Sequence, residues 1–110
     1  MIAIASDHAG FPLKEEIKKF LEEKNIEFID CGAHSTDSVD YAKFAQVACL
    51  KVTEGYADKA ILCCGTGIGI SIAANKIKGV RAALCGDVYS AKMTKQHNNS
   101  NIICMGGRVI

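Results

Sequence analysis

Short apolar runs at residues 2–5, 26–29, 60–63, 80–84 and 102–105 are each separated from the next by a stretch of different period. That alternation restricts the fold more than any other feature of the chain. After the first run, Leu13, Ile17, Phe20 and Leu21 recur at helical spacing among Lys and Glu, and Pro12 suits the first turn of such a helix. Tyr41, Phe44, Ala45, Ala48 and Val52 mark one face of a second helix, which Gly55 closes. A short third helix is expected over 68–76, and a fourth, capped by Asp87 or Ser90, runs to about Gln96. Strands and helices in this order predict a three-layer α/β/α sandwich with a five-stranded parallel, Rossmann-like sheet. The apolar runs are continuous, as strands buried on both faces require. Residues 33–39 read as a polar loop. Without repeats, low-complexity segments or a linker, the 110 residues read as a single domain, 1–110. No closing helix follows the fifth run, so one face of that strand is expected to stay uncovered unless a partner chain covers it.

The net charge of +1 offers no reason to expect nucleic acid or an anionic membrane as a partner. No apolar run is long enough for a membrane span, and the N-terminus lacks the pattern of a secretory signal. A cytoplasmic protein is expected. Six cysteines in so short a chain raise the question of a disulfide scaffold. Cys63 and Cys64 are adjacent, and Cys85 and Cys104 lie in apolar runs typical of buried strands. There is no C-x-x-C pair, so a zinc site of the usual spacing is not expected either. Most of these thiols read as small buried hydrophobes in a reducing compartment.

Ligands of open parallel sheets bind at the carboxyl ends of the strands. Asp7 and His8 end the first predicted strand, and Cys64-Gly65-Thr66-Gly67 ends the third, so the fold would bring the two clusters to one edge. The glycines at 65, 67 and 69 alternate. They match neither the dinucleotide fingerprint nor a phosphate-binding P-loop with its Gly-Lys-Ser/Thr. Such a turn can aim several N–H groups at one anion, with the helix N-terminus behind them. It can equally be no more than a tight strand–helix connection. Cys64, at that N-terminus, is a candidate thiolate and general base, or else an inert buried cysteine. Cys63 points to the opposite face. Arg108, after Gly106-Gly107, falls on the same edge and suits a phosphate. His97 reads as a histidine at a helix C-terminus, and His34 is assigned no role.

The stretches SDHAGFPLKEEI, STDSVDYAKFA, CGTGIGISIAANKIKGVRAALCGD and SAKMTKQHNNSNIICMGGRVI, in this order, resemble the type B ribose-5-phosphate isomerases and the related galactose-6-phosphate isomerases. The resemblance covers residues 2–110, and its most specific part is 64–81 together with His97-Asn98. It implies an aldose–ketose isomerase of the pentose phosphate pathway that works without metal or organic cofactor. It implies Cys64 as the base that moves a proton between carbons 1 and 2 of a sugar phosphate. It implies the turn of Gly65, Thr66, Gly67, Ile68 and Gly69 as the anion hole for an enediolate. His97 would open the sugar ring, with Asp7 assisting. His8 and Arg108 would bind phosphate, Asn98 would contact substrate, and Tyr41 would line the sugar site. Some relatives carry a glutamate base just after the glycine turn. That position is Ile70 here, which places the chain with the cysteine-based branch. The family continues past this point with a helical segment whose arginines help bind phosphate. The chain is therefore expected to lack that segment, as a truncated form of the family would.

The resemblance also implies a dimer or a dimer of dimers. The predicted topology puts His97 and Asn98 on the amino edge of the sheet, roughly 17–20 Å from Cys64 on the carboxyl edge. They are therefore expected to serve the active site of a neighbouring subunit. Ribose 5-phosphate is the expected substrate, and allose or galactose 6-phosphate are the alternatives. Two readings from other classes remain: a non-catalytic module that binds a phosphorylated small molecule, and a flavodoxin-like signalling or nucleotide-binding domain.

Overall fold

The computed structural model of the chain describes residues 1–33 and 41–110, with the side chains of 41 and 42 outside that description. The expected loop at 33–39 and His34 therefore lie almost wholly outside the described residues. The elements alternate as β1 (Ile2–Ser6), α1 (Phe11–Glu23), β2 (Phe28–Asp30), α2 (Tyr41–Thr53), β3 (Lys59–Cys64), α3 (Ile68–Asn75), β4 (Ala82–Leu84), α4 (Val88–Asn98) and β5 (Ile102–Gly106). All five strands pair in parallel, in the order β2-β1-β3-β5-β4. The last strand thus inserts between β3 and β4, and β4 takes the edge.

The two faces of the sheet are covered unequally. Ala3, Ala5, Ala60, Leu62, Ile102 and Cys104 join Ala45, Ala48 and Cys49 of α2 and Ile70 and Ala74 of α3 in one buried cluster. Small residues on strands and helices let the layers approach closely, and this face is the main core. The opposite face takes α1 and α4. Leu21 of α1 is buried there, but α4 buries no residue at all. Ile61, Ile103 and Met105, which point to that side, stay only half-buried. The fifth strand is a central one, flanked by β3 and β4.

Four local readings need correction. Phe20 was expected on the inner face of α1, yet it is exposed, with the Lys24 ammonium 5.8 Å from its ring centroid. The second strand starts at Phe28 and not at 26. Asn25 takes a left-handed conformation (φ +57°), and the Ile26 N–H donates back to the Leu21 carbonyl, so the turn that ends α1 consumes those residues. The third helix ends one residue early, at Asn75. The fourth strand starts at Ala82, because the Val80 N–H closes a turn onto Ile77 and the Arg81 N–H donates to the Asn101 side chain (2.8 Å). Asn75 completes this edge by accepting from the Ala82 N–H (2.8 Å) and donating to the Ala82 carbonyl (2.9 Å). Of the two candidate caps of α4, Asp87 is the one used. It accepts from the Ser90 N–H (2.7 Å) and the Ser90 hydroxyl (2.9 Å).

Candidate active site

The carboxyl ends of β1, β3 and β5 meet at one place, and backbone hydrogen bonds stitch them together. The Asp7 N–H donates to the Cys63 carbonyl (3.1 Å). The Gly107 N–H donates to the Cys64 carbonyl (2.7 Å), and the Arg108 N–H to the Gly65 carbonyl (2.9 Å). Asp7 is buried, and one of its carboxylate oxygens accepts the Gly10 N–H (2.9 Å), which fixes the turn from β1 into α1. Gly10 packs so tightly on the backbone of Cys63 that a β-carbon would lie 2.3 Å from its carbonyl, so the residue type itself sets the spacing between these turns.

Cys64 is the last residue of β3, and its side chain is buried on the α2–α3 face. The Gly67 N–H donates to Cys64 Sγ at 3.0 Å. Gly67 is the N-cap of α3 and has φ +84°, a conformation that turns its N–H back toward the sulfur. A side chain at position 67 would also meet Leu84 Cδ1 at 2.5 Å and the Met105 carbonyl carbon at 2.9 Å. The Thr66 hydroxyl accepts the Ile68 N–H (3.1 Å), and Thr66 and Ile68 face solvent at the mouth of the site. The sulfur is thus held at the N-terminus of α3 by a backbone N–H. Burial pushes the neighbouring Cys63 thiol up to about 12, and the adjoining Cys64 adds to this. Burial likewise pushes Cys49 up to about 11 and raises Cys104 further. All six cysteines are free.

Arg108 lies over the turn: a β-carbon added at Gly65 would lie 3.6 Å from Arg108 Cδ and 3.5 Å from the Ala9 methyl group. His8, half-buried, sits in the adjoining β1–α1 turn. A cleft of about 310 Å³ opens alongside, lined by Thr66, Ile68, Leu84, Gly106, Val109 and Ile110. The structure therefore brings together Asp7, His8, residues 64–69 and Arg108. Tyr41 begins α2 at the same edge of the sheet, but its side chain lies outside the described residues. His97 and Asn98 are not brought in. They are exposed at the C-terminal end of α4, and β5, which follows at once, runs its full length away from them. At about 3.3 Å per residue, that strand alone separates them from the Cys64 turn by roughly 13–16 Å.

The chain matches a family model described as Ribose/Galactose Isomerase over residues 2–110. This chain belongs to the ribose/galactose isomerase family. Among curated relatives, it is 48% identical over 109 residues to ribose-5-phosphate isomerase B of Escherichia coli, covering 99% of this chain and 73% of that protein. It is 43% identical to D-erythrulose-4-phosphate isomerase 2 of Mycolicibacterium smegmatis, covering 99% of this chain and 74% of that one. The solved structure of ribose-5-phosphate isomerase B from Clostridium thermocellum superimposes with a TM-score of 0.98 at 49% identity, covering 99% of this chain and 74% of the other. The three-layer fold read from the alternation of elements is thus that of the family.

One residue of consequence was missed in the sequence. Lys14 read as one of the charged residues between apolar positions of α1, yet it is fully buried. It stands three residues before Ile17 and seven before Leu21, which is the spacing of the buried stripe, and that was the available signal.

Proposed function

We propose that the chain is a sugar-phosphate isomerase that interconverts ribose 5-phosphate and ribulose 5-phosphate, with Cys64 as the catalytic base. The observation that carries this reading is the Gly67 N–H held 3.0 Å from Cys64 Sγ at the start of α3. The thiolate takes the proton from the carbon next to the substrate carbonyl and returns it to the adjoining carbon. A second proton moves in the same direction between the two oxygens, from the hydroxyl to the former carbonyl oxygen, so the enediol intermediate closes to the isomeric sugar with no net change in atoms or electrons. Negative charge gathers on oxygen as the C–H bond breaks. The remaining backbone N–H groups of the 65–69 turn and the Thr66 hydroxyl are the donors for that oxygen. Each preorganised donor is worth about 3 kcal/mol in the barrier.

His8 and Arg108, on either side of the turn, take the phosphate. Tyr41 and Ile68 border the sugar. His97, which opens the ring with help from Asp7, and Asn98 come from a neighbouring copy of the chain. Two observations support that assignment: both residues are exposed at the far edge of the sheet, and the face formed by Ile61, Ile103 and Met105 beside α4 is left half-covered. In such an assembly each site would be shared between subunits, in a dimer or a dimer of dimers. No helix of the described residues is long and apolar enough to cross a membrane, and we place the enzyme in the cytoplasm.

The test is turnover by the 110-residue chain, followed by NMR of the sugar. Ribose 5-phosphate is expected to equilibrate with ribulose 5-phosphate. If allose, galactose or a four-carbon sugar phosphate turns over more than tenfold faster, the substrate is reassigned. If none of them reacts, the isomerase reading falls and a non-catalytic binding module replaces it.

A further inference from the structure

Lys14 is 0% exposed, and its ammonium is saturated. It donates to both oxygens of Asp30 (2.7 and 2.9 Å) and to the Ala33 carbonyl. The Asp30 oxygens are filled as well, because they also accept from Lys18 Nζ (2.8 Å) and from the Gly32 N–H (2.9 Å). The face of the Phe11 ring, at the first position of α1, lies 5.2 Å from the ammonium. A buried ion pair is weak evidence for stability, since an apolar pair of similar size commonly does as well or better. What an apolar pair cannot do is hold a carbonyl that has been taken out of water.

The held carbonyl belongs to a segment that reaches the site. Beyond the end of β2, residues 31–33 continue along β1. The Cys31 N–H donates to the Ile4 carbonyl (2.8 Å), the Ser6 N–H to the Gly32 carbonyl (2.7 Å), and the Ala33 N–H to the Ser6 carbonyl (2.8 Å). Ser6 is followed by Asp7 and His8. With its N–H on Ser6 and its carbonyl on Lys14, Ala33 is fixed at both ends, and α1 is tied to the end of β1. The Cys64 turn is anchored separately, through β5.

We propose that Lys14 is a positioning residue: with Asp30 it aligns residues 31–33 against Ser6–Asp7, and so sets the substrate-binding side of the site without touching substrate. The functional half of this inference rests on the isomerase reading. The test is the double variant Lys14→Met/Asp30→Leu, which removes both charges together and so avoids stranding either. Its Tm is expected within about 5 °C of the parent. KM for ribose 5-phosphate is expected to rise at least tenfold while kcat stays within threefold, because the base is held through β5. Amide hydrogen exchange at Ser6 and Ala33 should quicken at least tenfold. An unchanged KM, or a loss confined to kcat, overturns the proposal. If the parent turns over no sugar phosphate, the isomerase reading has failed, and exchange at Ser6 and Ala33 alone decides the alignment: faster supports it and unchanged overturns it. Should the double variant not fold, NMR of the lysine ammonium groups in the unaltered chain decides. A Lys14 ammonium whose protons exchange at least tenfold slower than those of surface lysines supports the proposal, and exchange at the surface rate overturns it.

Discussion

Two glycines with nearly the same φ give the sharpest test of how the Cys64 turn works. Gly67 has φ +84° and Gly55 has φ +85°. Alanine at either position must enter the left-handed region, at about 1–2 kcal/mol. At Gly55 the new methyl group meets nothing within 4 Å, so that strain is the whole cost. At Gly67 it would lie 2.5 Å from Leu84 Cδ1 and 2.9 Å from the Met105 carbonyl carbon. The half-exposed leucine can swing away, but the β5 backbone cannot, and overpacking of this kind costs a further 1–3 kcal/mol or so. For a domain of this size each kcal/mol corresponds to about 4–8 °C in Tm. Gly55→Ala should therefore lower Tm by about 4–16 °C and leave kcat/KM unchanged. Gly67→Ala should lower Tm by at least about 5 °C more. It should also reduce kcat/KM by about 100-fold or more, because the turn relieves the clash by moving the N–H that Cys64 faces, and displacements near 1 Å have that effect. Thermal melts and steady-state isomerisation measure both quantities. Equal Tm losses would refute the packing argument. Full activity in Gly67→Ala would refute the claim that this turn positions the base.

Three further outcomes follow from the same structure. Mixing Cys64→Ala chains with His97→Ala chains should restore about a quarter of parental activity once subunits exchange, since half the dimers are mixed and each carries one intact site; no recovery despite proven exchange would place both residues in one subunit. Burial alone would raise the Asp30 carboxyl, but hydrogen bonds from Lys14, Lys18 and the Gly32 N–H outweigh it and hold the group below 3.8. A depressed pKa means stability that is present above about pH 4 and lost as pH falls through the folded value, so Asp30→Asn should flatten the acid limb of a stability–pH curve, and an unchanged limb would contradict the network. Alanine at Asn101 should destabilise the sheet edge by about 1–2 kcal/mol without changing KM, because it strips partners from the Arg81 N–H and the Gly79 carbonyl; an unchanged Tm would show that water replaces both bonds.

The element order and the Cys64 turn were legible because both depend on local spacing. Continuous apolar runs mark strands buried on two faces, and glycines at 65, 67 and 69 mark a backbone that bends sharply at a strand end. The insertion of β5 between β3 and β4 was not legible, since pairing between distant segments leaves no local period. The starts of β2 and β4 were misplaced for a different reason. Ile26 and Val80 are good strand formers, but turn hydrogen bonds and asparagine side chains claim the backbone there. Lys14 was hidden by its residue type: a lysine at a core position reads as solvent-facing until its carboxylate and carbonyl partners, 16 and 19 residues away, are known. His97 and Asn98 were read at the far edge of the sheet from topology alone, and they lie there.

The central claim is that Cys64 is the base. The most direct measurement is turnover of ribose 5-phosphate by Cys64→Ala beside the parent chain, with circular dichroism to establish that both are folded. Loss of a base that also forms the focus of the anion hole should reduce kcat by about 1,000-fold or more. A folded Cys64→Ala chain that keeps turnover within tenfold of the parent would contradict the account.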